Sequence, residues 1–326
     1  MSNSFGKIFR ITIFGSSHAE SVGITIEGIP KGIALCEDMF RTDIDRRRPA
    51  LTGETARREE DTPMIEGLNP EGETTGEPIT ITFKNSDKRS KDYSHLRVHP
   101  RPSHADLVQL RKYGNDADIV GGGMASGRMT VALVAAGVVA KEILKGVSFT
   151  TRLASVNGVL DSTQFNDIIA TASREGDSVG GVVECCVKGV QPTLGEPFFD
   201  SAESVISHLL FSIPGVKGVE FGDGFAGTAK RGSERNDLIV DATGRTLTNN
   251  EGGINGGITN GNDIVLRVAI KPTPSIAKTQ TTYNFESEAT APLTIGGRHD
   301  ACIARRAVVV VEAMVAVALA DLLLRA

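Results

Sequence analysis

The chain of 326 residues has no tryptophan and only three tyrosines, aromatics make up 5% of it, and it has no cationic surplus. Its 35 Lys and Arg face 40 Asp and Glu, a formal net charge of −5, which argues against a general nucleic-acid surface, so any basic site has to be local. Its four cysteines, Cys36, Cys185, Cys186 and Cys302, contain no CxxC pair and two are adjacent, so they read as thiols of a reducing compartment. A signal-type apolar segment is missing too. The opening MSNSFGKIFRITIFG meets Lys7 and Arg10 before any sufficient apolar run, which predicts a mature cytoplasmic N-terminus. The most apolar stretch, 307–324, carries Glu312 and Asp321 and follows Arg305 and Arg306. Spanning a bilayer would bury those charges, so a buried helix and no membrane are expected. With 40% hydrophobic and 23% charged residues, 36 Gly and 13 Pro, disorder, collagen and coiled coil are excluded.

Short β-branched or alternating runs predict strands at 8–14, 23–28, 79–83, 180–187 and 263–270. Helical spacing predicts helices at 104–113, with Ser103 as its cap, at 129–144, at 201–211 and at 302–324. The arginine-rich segment 38–61, holding Arg46, Arg47, Arg48, Arg57 and Arg58, reads as a short helix followed by a loop. There is no steady βαβ beat, which favours an α+β fold with largely antiparallel sheets over a doubly wound parallel sheet. No linker and no internal repeat divides the chain, so one domain over 1–326 is expected. Glycine clusters at 121–127 and 252–261 mark tight turns and close backbone approach to a ligand.

Generic catalytic motifs are absent: no GxxxxGK[ST], no HExxH, no GxSxG, and no acidic partner for a dinucleotide-type reading of GGGMASG. What is present is a set of clusters mixing small residues with His or Arg: GSSHAE (15–20), DRRRP (45–49), HPRPSHAD (99–106), GGGMASGR (121–128), IKPTPS (270–275) and GRHDAC (297–302). Singly, each has an ordinary explanation; Asp300, for example, reads as the N-cap of the last helix. Together they describe positive charge, the two imidazoles His18 and His104, glycine backbone and one carboxylate. That set suits a small polyanionic substrate beside a bulky cofactor, because guanidinium groups clamp phosphates and carboxylates and imidazole, with a pKa of about 6.5, donates protons near neutrality.

The wording and order of these clusters closely resemble the chorismate synthase family. GKIFRITIFGSSHAE, RPSHAD, KYG, GDS, LGEP, VKGVEFGDGF, GGINGGI, KPT and GRHD fall in family order over nearly the whole chain. The resemblance implies an α+β sandwich of sheets and helices, usually a homotetramer. It implies a lyase that converts 5-enolpyruvylshikimate 3-phosphate to chorismate by trans-1,4 elimination of phosphate, with reduced FMN although the reaction is redox neutral. His18 and His104 match the two family histidines, one protonating the departing phosphate and the other acting at the reduced flavin. Asp300 matches a carboxylate near flavin N5, and Ser17 and Ser126 match serines that hold the flavin and its neighbours. Arg47, Arg48, Arg128 and Arg298 would bind the substrate's phosphate and two carboxylates. The flavin-contacting stretches map to Met124, Ala125 and Ser126, to Pro214 and Gly215, to Gly256, to Lys271, Pro272, Thr273, Pro274 and Ser275, and to Arg298, with Lys271 facing the FMN phosphate.

Several positions depart from the family pattern. Ser16 replaces a carboxylate and Ala19 a glycine; Met124 and Ala125 replace an arginine and a serine; Ser103 replaces a glycine; and the stretch 144–176 is shorter than in long members. Gly53 stands where an arginine linked to the nicotinamide cofactor is common, which disfavours self-reduction of the flavin with NADPH. Two readings follow: an active synthase, or a family-fold binding or structural relative with weakened or lost flavin-dependent catalysis. The departure at 124 and 125 carries its own expectation, that Met124→Arg with Ala125→Ser tightens FMN about tenfold.

Overall fold

The computed structural model describes residues 3–87, 95–297 and 299–326. The first half forms a five-stranded sheet from β1 (Ser4–Phe5), β2 (Arg10–Gly15), β3 (Ser21–Glu27), β4 (Met64–Glu66) and β5 (Ile79–Lys84), ordered β1-β2-β3-β5-β4. Its helices are α1 (Glu37–Arg47), α2 (Asp106–Tyr113) and α3 (Thr130–Ile143). The second half supplies β6 (Ser148–Val156), α4 (Phe165–Arg174), β7 (Gly181–Lys188), α5 (Ala202–Ser212), β8 (Val216–Phe221) and the one-turn α6 (Gly232–Arg235). After the short pair β9 (Ile254–Asn255) and β10 (Ile258–Thr259) comes β11 (Ile264–Ile270), giving a second sheet ordered β6-β7-β11-β8. A hairpin of β12 (Gln280–Asn284) and β13 (Ala289–Leu293) precedes the last helix, α7 (Ile303–Arg325). All strand pairs are antiparallel, as the absence of a βαβ beat implied.

Alternation explains the first sheet. In β3 and β5, Val22, Ile24, Ile26, Ile79, Ile81 and Phe83 turn one fully buried face toward α3. α3 is buried all round because α7 covers its other side, while α7 rests in turn on β6 and β7. Two sheets thus enclose a helical layer. Gly137 of α3 is at the crossing with α7, where a side-chain carbon would overlap Ala313, so glycine sets how near the two helices come.

α7 is long and apolar enough to cross a membrane, but 83% of its most apolar window is buried inside the protein. Its two acids are matched within the fold. Glu312 accepts from Arg46 Nη1 and Nη2, each at 2.8 Å, and from Lys141 Nζ at 2.5 Å, tying α1, α3 and α7 together. Asp321 accepts the backbone N–H groups of Lys7, Ile8 and Phe9 and pairs with Arg325, fastening the N-terminal segment to the last helix.

Two expected caps are not formed. Ala105 stands at the N-cap of α2, and Ser103 instead has φ of 58°, the left-handed turn for which glycine is the unstrained residue. Cys302 stands at the N-cap of α7, and Asp300 accepts from Thr55 N and the Arg306 side chain rather than from the helix's free N–H groups. Ser201 does cap α5, accepting from Ser204 N at 3.0 Å. β6, β8, α4 and the β12–β13 hairpin are elements that the sequence reading passed over.

Candidate active site

The end of α1, the starts of α3 and α7, the end of α5 and the segment after β11 converge on one cavity of about 890 Å³. Eight arginine or lysine side chains line it against four carboxylates, together with three histidines. An excess of cations under partial burial is a site for a polyanion.

The loop after β2 supplies Ser17 and His18. Ser17 is buried; its N–H donates to Gly123 O at 3.3 Å, and its hydroxyl and carbonyl accept from Arg57 at 3.0 and 3.1 Å. Arg57 is itself fixed by Glu59, whose carboxyl, despite burial, is held low by Ser86 and Arg57. His18 packs on the glycine turn at 121–123, where φ is positive at all three residues and a side chain at Gly121 would overlap the His18 ring. On the same turn, a side-chain carbon at Gly122 would be 3.5 Å from His104 Cε1. Glycine is therefore what lets both imidazoles reach one turn.

His104 Nδ1 is 2.7 Å from Asp106 Oδ1, and Asp106 is clamped by Arg101 Nε and Nη2, both at 2.7 Å. Ser126, also in the lining, caps the turn that leads into α3, accepting from Arg128 N at 3.3 Å. Asp300 lines the cavity as well, with Oδ1 accepting from Thr55 N at 2.9 Å and Oδ2 from Arg306 Nη1 at 2.8 Å.

The predicted arginines divide. Arg47 is 3% exposed, and its donors go to Thr130 Oγ1, Asp61 and the carbonyls of Gly127 and Arg128. Arg128 is likewise committed, to Asn85 Oδ1, Asp61 and Lys84 O. Asp61 joins the two from a left-handed φ of 51°. Burial, then the nearby Arg306, with Arg128 adding to it, pulls Arg47 down to about 9, the signature of an electropositive wall. Arg48 is more than a third exposed: Nη1 pairs with Asp45 Oδ1 at 3.0 Å and Nη2 donates to Glu59 O at 3.1 Å, while its Nε is buried without a partner among the described residues.

Ala125, Pro214, Gly215, Lys271, Thr273, Pro274 and Ser275 line the cavity too. Met124, Gly256 and Pro272 do not. Met124 packs against the hydrophobic core, which accounts for an apolar residue there and removes the basis for expecting an arginine at 124 to meet a ligand. Gly256 turns the β9–β10 pair, and Pro272 faces solvent. Arg298 lies outside the described residues. Gly53 has φ of 85° and its added carbon would be 2.7 Å from Ile169 Cγ2, so this fold has no room for an arginine at that position.

Sequence reasoning assigned no role to Arg57, Arg58, Glu59, Asp61, Arg101, His299 or Arg306, all in the lining. Arg57 and Arg58 belong to the arginine-rich segment and Arg101 and His299 to quoted clusters, so composition marked them. Asp61 carried no signal, because its importance comes from two guanidinium groups brought to it by other elements.

Comparison with known proteins agrees with this geometry. The family described as Chorismate synthase matches residues 9–324. A chorismate synthase of Chitinophaga pinensis is 52% identical over 323 residues, covering 99% of this chain and 96% of that one. Those of Synechococcus elongatus and Crocosphaera subtropica are 43% and 44% identical, covering all of this chain and 98% of theirs. A crystal structure of chorismate synthase superposes with a TM-score of 0.75 at 26% identity, over 98% of this chain and 93% of that one. The chain belongs to the chorismate synthase family, the lyases that convert 5-enolpyruvylshikimate 3-phosphate to chorismate and phosphate.

Proposed function

We propose that this cavity carries out the elimination with reduced FMN, and that His18, His104 and the cationic wall divide the work. The observation that carries the reading is the convergence of two imidazoles on the glycine turn inside a cavity with surplus positive charge. The substrate bears a phosphate and two carboxylates, so binding needs cations that are not already neutralised. Arg58, exposed and without an ion pair among the described residues, is the best placed, and Arg48, with an unpartnered Nε at the cavity, can join it by giving up its exposed pair with Asp45. Arg47 and Arg128 act from behind, as a rigid positive wall held by Asp61. A departing phosphate also needs a proton, and His104, with Nδ1 turned to Asp106, can give one from Nε2.

The residues present fit FMN. Thr273 Oγ1 is buried in the lining with no hydrogen-bond partner among the described residues. Burial and the neighbouring Lys217 push the pKa of Lys271 down, a strain that a bound phosphate would relieve. We assign Ala125, Ser126, Pro214, Gly215, Lys271, Thr273, Pro274 and Ser275 to holding it. When bound, reduced FMN supplies the electron-rich ring on which this redox-neutral elimination draws. Ser17, fixed by Arg57, and His18 line the same cavity, and Asp300, held by Arg306, offers a carboxylate that can accept a proton. Glycine at 53, where an added carbon would crowd Ile169 Cγ2, favours an outside reductase over NADPH bound here as the source of electrons for the flavin.

The protein is read as a cytoplasmic homotetramer. Four free cysteines support a reducing compartment, and Phe198 and Phe199, 87% and 94% exposed, support burial against another subunit. Titration of FMN fluorescence tests the cofactor assignment. Thr273→Val and Lys271→Gln should each weaken FMN about tenfold with unchanged melting temperature, as loss of a bond to a charged group implies. Unchanged affinity in both variants removes the segment after β11 from the flavin site.

A further inference from the structure

Asp106 opens α2 and is completely buried, without reaching the cavity itself. Among the described residues, its carboxylate oxygens meet hydrogen-bond donors. Oδ2 takes Arg101 N–H at 3.1 Å and Arg101 Nε at 2.7 Å, while Oδ1 takes Arg101 Nη2 and meets His104 Nδ1, both at 2.7 Å. Arg101 continues through Nη1 to Ser275 Oγ at 3.0 Å, so the same unit is anchored to the segment after β11. Among the described residues His104 Nε2 has no hydrogen-bond partner, and His104 lines the cavity.

Burial alone would favour a neutral Asp106, but the Arg101 and His104 contacts outweigh it and hold the carboxyl well below the usual carboxylate range. An ionised carboxylate has no proton to donate. The hydrogen in the 2.7 Å contact therefore sits on His104 Nδ1. Neutral His104 then keeps a lone pair on Nε2, and its cation carries Nε2–H with a fixed negative charge behind the ring.

We propose that Asp106, clamped by Arg101, is the positioning residue that fixes His104 in the Nδ1–H tautomer, so that every proton His104 gives or takes passes through Nε2. The inference rests on the reading that His104 transfers a proton. The charged and titratable groups around this imidazole are Asp106 and Arg101 on its own segment, His299 and Asp300 before α7, and Lys271, whose Nζ donates to Ser103 O at 2.7 Å. Among the described residues, Asp106 is the one hydrogen-bonded to the ring.

The test begins with the unaltered protein, labelled with ¹⁵N in its histidine rings, with His104→Ala used to assign the His104 signals. With the ring neutral, the expected signature is a protonated Nδ1 and an unprotonated Nε2; the opposite pattern overturns the proposal. This reading needs no variant that might misfold. In Asp106→Asn, kcat should fall at least tenfold with KM within about threefold, because the ring is no longer held with Nε2 toward the cavity. Asp106→Glu should restore part of kcat. A variant that melts earlier but keeps kcat reduces Asp106 to a structural residue and overturns the proposal. If His104→Ala retains turnover, the reading beneath falls with it; if His104→Ala is inactive and the tautomer is wrong, only the assignment of Asp106 fails.

Discussion

Arg47 and Arg48 stand side by side in the chain and meet different surroundings. Arg47 ends α1 with its donors spent on Thr130, Asp61 and two carbonyls, whereas Arg48 reaches the cavity with an unpartnered Nε. Arg47→Gln should therefore lower stability by about 3 kcal/mol, the cost of opening a buried ion pair, seen as an earlier urea midpoint. Arg48→Gln should raise KM for the phosphorylated substrate and leave that midpoint unchanged; a normal KM would take Arg48 out of the site. His104→Ala should cost turnover roughly 10²- to 10⁴-fold with little change in melting temperature, as expected of a general acid, and a rate near that of the parent would exclude it. Residue types were legible at this scale and their duties only partly so. An arginine run announces an anion, but which member is free is settled by partners such as Asp61 and Thr130 that lie 14 and 83 residues away. Met124 makes the converse point, since its motif put it at a ligand and the structure leaves it half-buried against the core, outside the cavity lining.

At the scale of elements, the glycine turn before α3 and the ion cluster beneath α7 carry most of the load. Gly121→Ala places a carbon on the His18 ring in a backbone region costing about 1 kcal/mol for a residue with a side chain, so activity should fall much further than stability. Equal activity in that variant would mean that His18 has room to move. Glu312 is buried, yet hydrogen bonds from Arg46 and the charge of Lys141 outweigh burial and hold its carboxyl below the ordinary value. Its contribution is therefore full above the unfolded value of about 4.3 and is lost as pH falls through the lower folded value. Glu312→Gln should be about 3 kcal/mol less stable at neutral pH, with the gap to the parent narrowing below about pH 4. Urea unfolding at several pH values checks both. The elements with strong periodicity, β3, β5, α3, β11 and α7, were readable from sequence. β6 alternates between exposed and half-buried positions, and β8 holds Gly218 between Lys217 and Glu220, so neither offers a strong apolar pattern until the neighbouring strands are known.

Across the whole molecule, one hydrophobic cluster runs from Phe9 and the first sheet through α3 and α7 to β7 and β11 of the second. The cavity draws residues from both halves, so the sheets cannot separate without dismantling it, and the chain is expected to work as a single domain. The most direct measurement is anaerobic turnover with chemically reduced FMN and 5-enolpyruvylshikimate 3-phosphate, following chorismate and phosphate together. The account predicts equal amounts of the two products without net consumption of reduced flavin, and loss of both in His104→Ala. Tight FMN and substrate binding without either product, in a folded protein, would contradict it.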